Sequence, residues 1–151
     1  MPSSRHNLLH ISILPIGKIK DRELAIKAHD FTERISHDIR LTIEPIKDSA
    51  PEQEAKRLLT RIKKQPGFVF ALSEHGRSYT SEQFSSRLYG LGARVYFIIG
   101  GPFGLPPAIQ QASNELLALS AMTFPHEFAQ VMLLEQIYRA VSIHHKRKYH
   151  K

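Results

Sequence analysis

The 151 residues carry 21 lysines and arginines against 14 acids, a formal charge of +7, and no cysteine. That excludes a disulfide framework, a thiolate metal site and a cysteine nucleophile, and the lack of any apolar run near the ~20 residues a bilayer demands excludes a membrane span. With 42% hydrophobic and 23% charged residues, the composition is that of an ordinary globular chain, one domain over residues 1–151, large enough to bury roughly two thirds of its unfolded surface.

The leading residues MPSSRHNLLHISILPIG have neither a long apolar core nor a small-residue cleavage site. No secretory leader is therefore expected, and the cytoplasm is the default compartment. The basic surplus favours a polyanionic partner or is a solvated surface. It is densest at the end, where His144, His145, Lys146, Arg147, Lys148, His150 and Lys151 occur without an acid.

In chain order, Leu8 to Leu14 reads as a strand ended by Pro15 and Gly17, and 21–36 as an amphipathic helix with Leu24, Ala28, Phe31 and Ile35 on one face. Arg40 to Ile46 alternates as a second strand, with Pro45 placing it near an edge. Residues 51–64 form a helix from Pro51, broken by Pro66-Gly67, and Phe68 to Leu72 is the third strand. Thr80 and Gln83 make a capping box for a helix that ends near Gly90 and Gly92. Arg94 to Ile99 is a buried strand, followed by a helix over 106–115, a short fifth strand and loop over 116–122, and a last helix over 126–143. That helix is apolar over more than one core-facing stripe, so it lies at the centre of its own fold or against another subunit. Alternation of strand and helix predicts an α/β fold with a mainly parallel sheet flanked by helices.

Gly100-Gly101-Pro102-Phe103-Gly104 follows the 94–99 strand. It is neither the dinucleotide glycine pattern nor a phosphate loop with its lysine. It is plain punctuation after a strand, or a place where backbone meets a ligand. A second irregular segment, Leu119 to Pro125, favours the ligand, because two such loops frame a pocket with backbone N–H and C=O groups, as an adenine-bearing molecule requires. No metal-ligand spacing is present. His126 is a capping or core histidine on pattern alone, and Glu135 with Arg139 is an intrahelical ion pair on spacing alone.

Taken together, the chain resembles the SPOUT-class methyltransferases that modify N3 of a pseudouridine in 23S ribosomal RNA. The matching residues are Ile16-Gly17-Lys18-Ile19-Lys20, Leu72 with Gly76, Ser81-Glu82-Gln83-Phe84, Ile98-Ile99-Gly100-Gly101, Leu119-Ser120 through Thr123-Phe124-Pro125-His126, Glu135 to Ala140 and Tyr149-His150-Lys151. The resemblance implies a carboxyl-terminal trefoil knot, which no topology rule would propose, and a homodimer acting on 23S rRNA in the ribosome or large subunit, without membrane or metal. It places S-adenosyl-L-methionine on Leu72, Gly100, Leu119, Ser120, Ala121, Met122, Thr123 and Phe124. It places the reaction on His150, Tyr149 and Arg139: His150 as candidate base for the imide proton, Arg139 or a tail lysine as stabiliser of the imide anion. A protein that kept this fold as a non-catalytic RNA-binding or ribosome-assembly factor would share the same charge. Two departures stand out. Gln130 replaces the usual arginine four residues after His126, and the tail carries basic residues where a glycine-containing turn is usual.

Overall fold

In the computed structural model, which describes residues 8–92 and 94–150, five parallel strands lie in the order β2-β1-β4-β3-β5. The expectations for Met1 to Asn7 and for Lys151 fall outside the described residues. The elements are β1 His10–Pro15, α1 Arg22–Ile35, β2 Arg40–Ile43, α2 Pro51–Lys64, β3 Phe68–Arg77, α3 Ser81–Tyr89, β4 Arg94–Ile99, α4 Pro107–Ala112, β5 Glu115–Leu117 and α5 His126–His144.

The central strands read as continuous apolar runs because both faces of the sheet are covered. Ile11, Ile13, Phe70, Val95, Phe97 and Ile99 point toward α1, α3 and α5. Leu14, Val69, Ala71, Tyr96 and Ile98 point to the other face, toward Ala55 and Leu58 of α2 and Ile109 of α4. β2, with its nearby proline, is an edge strand as expected, though its ladder stops at Ile43 and Ile46 makes only an isolated bridge to Ile16. The capping box at Thr80 forms in full.

Two elements near the carboxyl ends differ from expectation. β3 does not end at Leu72; both Leu72 and Arg77 pair with Leu117, so the strand bulges through Ser73, Glu74, His75 and Gly76 and resumes. Edge bulges of this kind re-aim side chains. β5 is shorter than the 116–122 segment and starts one residue earlier. Asn114 fixes its start: the Asn114 N–H donates to the Val69 carbonyl at 2.8 Å and its side-chain oxygen accepts from the Val69 N–H at 2.7 Å.

The wide apolar face of α5 is mostly consumed within the chain. The helix runs between α1 and α3, and Val131, Leu133, Leu134, Ile137, Ala140 and Val141 are all buried there. Its first turn is pinned by Glu127, whose carboxylate accepts from the Lys20 and Asp21 N–H groups at 3.1 Å each, where α1 begins. Phe128 and Met132 remain exposed.

Candidate active site

The carboxyl ends of β3, β4 and β5 open into a cleft of about 540 Å³, within the ~300–1,000 Å³ common for small-molecule sites. An open parallel sheet places ligands at this end of its strands. Its floor is Leu72, Ile99 and Leu117; its walls are the Gly100–Leu105 loop and the 119–125 segment, with His126 and Ala129 at the start of α5.

Both walls owe their shape to local chemistry. After β4, the Gly104 N–H donates to the Gly101 carbonyl at 2.9 Å, closing a tight turn with Gly104 at φ +78°. Pro102 sits in the turn's second position, which its fixed φ suits, and Phe103 stands out from the tip, 85% exposed. Gly100 permits the return of this turn: a Cβ there would lie 2.7 Å from the Gly104 carbonyl carbon. On the other wall, the Ser120 hydroxyl accepts from the Met122 N–H at 3.0 Å and folds the loop back.

Among the described residues, the lining contains one carboxylate, Glu74, brought in by the β3 bulge, and neither lysine nor arginine. Such a surface has nothing to neutralise a phosphate. It suits a ligand that is apolar over much of its area, recognised by backbone groups, and neutral or cationic. Leu72, Gly100, Leu119, Ser120, Met122, Thr123 and Phe124 all line it, and Ala121, between Ser120 and Met122, does not.

Arg139, Tyr149 and His150 come together elsewhere. Arg139 bonds Glu135 through two nitrogens, one of them at 3.3 Å and the other at 2.5 Å, and its guanidinium lies 4.9 Å from the Tyr149 ring centre. The Tyr149 hydroxyl donates to Glu135 at 2.8 Å. Burial, then the bond to Glu135, raises the Tyr149 phenol above its ordinary range, and the same carboxylate raises Arg139. His150 is engaged at both nitrogens: Nδ1 at 3.0 Å from Arg139 Nη1 and Nε2 at 3.1 Å from Glu82. A guanidinium only donates, so Nδ1 accepts and Nε2 carries the proton. No ring lone pair is left for a substrate proton in this arrangement.

The tail reaches that position through a built turn. The Lys146 N–H donates to the Ile143 carbonyl at 3.0 Å and the Arg147 N–H to the Ser142 carbonyl at 2.8 Å, with Lys146 left-handed at φ 56°. This is the Schellman geometry that ordinarily recruits glycine, now held by lysine. Arg147 then grips Asp38 with two bonds of 2.7 Å. That bond is the first reason the Asp38 carboxyl lies below its ordinary range. Arg147, which composition offers as a phosphate contact, is therefore occupied. Sequence reasoning missed Asp38, 109 residues away, because no local spacing links the two. Gln130, at the usual arginine's position, is 5% exposed, so this side chain is not presented to a partner.

The tail cluster and the cleft sit toward opposite ends of α5. His126 borders the cleft and Arg139 the cluster, 13 residues and therefore about 20 Å apart along the axis.

A family model described as a predicted SPOUT methyltransferase matches residues 9–150. The chain belongs to the SPOUT methyltransferase family. Among SPOUT relatives, it is similar to the ribosomal RNA large subunit methyltransferase H of Exiguobacterium sibiricum, 34% identical over 159 residues that cover 95% of this chain and 100% of the relative. The protein of that name in Clostridium botulinum is 37% identical over 161 residues, with 95% and 100% covered. Solved structures share the SPOUT fold at low identity. A probable methylase family protein of Haemophilus influenzae superposes with TM-score 0.60 at 11% identity, covering 95% of this chain and 71% of that one. The SpoU methyltransferase AviRb of Streptomyces viridochromogenes, solved with the cofactor AdoMet, gives 0.50 at 11% identity over 95% and 60% of the two chains. Among the described residues, no helix is long and apolar enough to cross a membrane and no group of three or more histidine or acidic side chains could hold a metal ion.

Proposed function

We propose that this single-domain protein is a cytoplasmic, S-adenosyl-L-methionine-dependent methyltransferase that methylates N3 of a pseudouridine in 23S ribosomal RNA. The observation that carries the reading is the cleft itself: walled by two loops at the carboxyl ends of β3, β4 and β5 and, among the described residues, lined by no lysine or arginine and by one carboxylate, Glu74. Its residues fit S-adenosyl-L-methionine. Leu72 and Leu119 offer apolar faces to an adenine, Gly100 and the 119–124 loop offer backbone groups, and Glu74 suits a net positive ligand. When bound, the cofactor supplies an electrophilic methyl group on a sulfonium. The chain's own contribution is to orient the acceptor and exclude water, since alignment is what a rigid pocket supplies best.

The remaining parts of the proposal concern assembly and the tail. The protein acts as a homodimer, with the exposed Phe128 and Met132 of α5 and Ile26 of α1 available for the contact, and each site takes its tail from the partner. About 20 Å along α5 separates Arg139 from the cleft mouth of its own chain, so a tail serving a cleft serves the neighbour's. Arg139 stabilises the imide anion electrostatically, Tyr149 stacks on the base, and His150 acts as base only after giving up its Arg139 bond. The implied trefoil knot lies at the carboxyl end of the chain.

Transfer of tritiated methyl from S-adenosyl-L-methionine to 23S rRNA in purified large subunits and 70S ribosomes tests the reading. Label at a pseudouridine is the expected result. Binding of ribosomes without incorporation would favour the non-catalytic assembly factor instead.

A further inference from the structure

The charge of this molecule is unevenly placed, and one surface outside the cleft and tail accounts for much of the surplus. Between Glu54 and Glu74 there is no acid, yet Lys56, Arg57, Arg61, Lys63 and Lys64 all occur there. All five lie on α2. One of them, Arg61, is spent on Glu44, at 2.6 and 3.1 Å, and on the Tyr96 hydroxyl at 3.1 Å. In burial terms, only Glu54, Ala55 and Leu58 of this helix are inside, so Lys56, Arg57, Lys63 and Lys64 stand on its exposed side.

Positions 53, 56, 57, 60, 61 and 64 follow the three-and-four spacing of one helix face, and together they line a shallow groove. With Arg61 spent on Glu44, the free cations form two pairs, Lys56 with Arg57 and Lys63 with Lys64, about 10 Å apart along the axis. The helix runs antiparallel to the strands, from the carboxyl end, where the cleft opens, back to the amino end. There the row continues across the sheet: His10 is the register partner of both Arg40 and Arg94. The neighbouring acids are few. Glu44 is paired with Arg61, Glu54 is buried and accepts from the Ser49 N–H at 2.9 Å, and Asp48 and Glu52 flank only the helix start. Consistent with a concentrated positive field, His10 is held below its ordinary value, first by burial and then by Arg94, Arg40 and Arg61.

We propose that the outer face of α2, continued by Arg40 and Arg94, is a phosphate-binding rail that carries substrate RNA from the cleft end of the sheet to its amino end. The inference rests on the RNA-methyltransferase reading and adds to it a second contact surface, separate from cleft and tail. α2 packs on the sheet face opposite α5, so a dimer joined through α5 leaves the rail open to a partner. RNA suits the surface because its phosphates are regularly spaced and because the cations are side-chain ends on a polar helix. The groove offers no apolar anchor that would insert into a lipid surface: its lining is Gln53, Lys56, Arg57, Thr60, Arg61 and Lys64.

The test compares wild type with Lys56→Ala/Arg57→Ala/Lys63→Ala/Lys64→Ala in fluorescence titrations of a ~30-nucleotide RNA hairpin across a salt series. Each lost phosphate contact removes about 0.7–0.9 from the slope of log affinity against log salt. The expected result is therefore a slope smaller by about 3 and at least ~10-fold weaker binding near 0.1 M salt. Calorimetric titration with S-adenosyl-L-methionine should be unchanged, which also certifies the fold. If the fourfold variant does not fold, Lys63→Ala/Lys64→Ala at the helix end gives the same answer with a slope change of about 1.5. Equal RNA affinity and slope in wild type and variant would overturn the rail. So would wild type that binds vesicles with ~30% phosphatidylserine but not the hairpin. RNA binding through the rail by a wild type that transfers no methyl group would remove the enzymatic reading and leave the rail standing. Methylation unaffected by loss of the rail would do the reverse.

Discussion

The two loops that wall the cleft, Gly100 to Leu105 and Leu119 to Pro125, are shaped by local bonds within each loop, whereas from His144 to His150 the polypeptide is held in place by side chains from distant parts of the chain. The cleft loops rest on a Gly101–Gly104 turn and a Ser120–Met122 bond. The tail rests on Arg147–Asp38, Tyr149–Glu135 and His150 between Arg139 and Glu82. The difference has consequences for how each can be broken. A locally folded loop does not tolerate an added Cβ where the chain doubles back, as at Gly100. A side-chain-built tail is indifferent to bulk at its exposed positions but sensitive to single charges far away in sequence.

Gly100→Val is the sharpest blow to the first region. Its Cβ would meet Gly104 at 2.7 Å and Leu105 N at 3.0 Å, so the loop itself must shift before any ligand arrives. S-adenosyl-L-methionine binding should become undetectable by calorimetry while circular dichroism stays native. Undiminished affinity in the folded variant would remove the pocket from this position.

Deleting 146–151 strikes the other region and should invert the pattern. Cofactor affinity and dimerisation should survive while ribosome methylation collapses. Tyr149→Ala/His150→Ala should cause most of that loss with the charges retained, because stacking on a base is worth about 1–3 kcal/mol. Wild-type methylation by the truncated protein would make the tail a solvated end.

A smaller effect is expected from Asp38→Asn, which keeps volume and removes the carboxylate under Arg147. Methylation should fall several-fold, with cofactor affinity unmoved, and a charge-swapped Asp38→Arg/Arg147→Asp pair should recover part of it. The sign of the pH dependence follows from the depressed Asp38 carboxyl. Its contribution is complete above the unfolded value of 3.8 and is lost as pH falls through the lower folded one. Thermal melts of wild type should therefore lose stability below that point more steeply than melts of the Asn variant. Parallel curves would mean that the ion pair does not hold the tail.

The smallest effect is a gain. Lys146 sits at φ 56° at the end of α5, a conformation that costs a residue with a Cβ about 1 kcal/mol relative to glycine. Lys146→Gly should raise stability by roughly that amount in urea titrations. A loss instead would show that the lysine side chain has a partner of its own.

Much of the architecture was legible in the sequence because its signals are local. Apolar runs at Ile11 to Leu14 and Val95 to Ile99, the Thr80 capping box and the proline starts of α2 and α4 each specify their own segment. What was not legible depends on distant partners. The β3 bulge arises from pairing with Leu117, and nothing within 68–77 announces it except Gly76, whose Cβ would fall 2.5 Å from the Leu116 carbonyl carbon. The breadth of α5's apolar face left open the centre of its own fold or another subunit, and α1 and α3 cover most of it. For the site, the two loops were visible as glycine and irregular segments after strands. That Arg139, Tyr149 and His150 share one cluster with Glu135 and Glu82 was not, since it requires the Lys146 turn and the grip of Arg147 on Asp38.

The proposal that each site joins one chain's cleft to its partner's tail is tested most directly by mixing two inactive proteins. Gly100→Val keeps its tail and loses its cleft; the 146–151 deletion keeps its cleft and loses its tail. Mixed at equal amounts and allowed to exchange subunits, half of the dimers are mixed and each holds one intact composite site. Methylation of 23S rRNA should then return to roughly a quarter of the wild-type rate per site. A mixture as inactive as its two components, with mixed dimers demonstrated by mass spectrometry, would contradict the shared site.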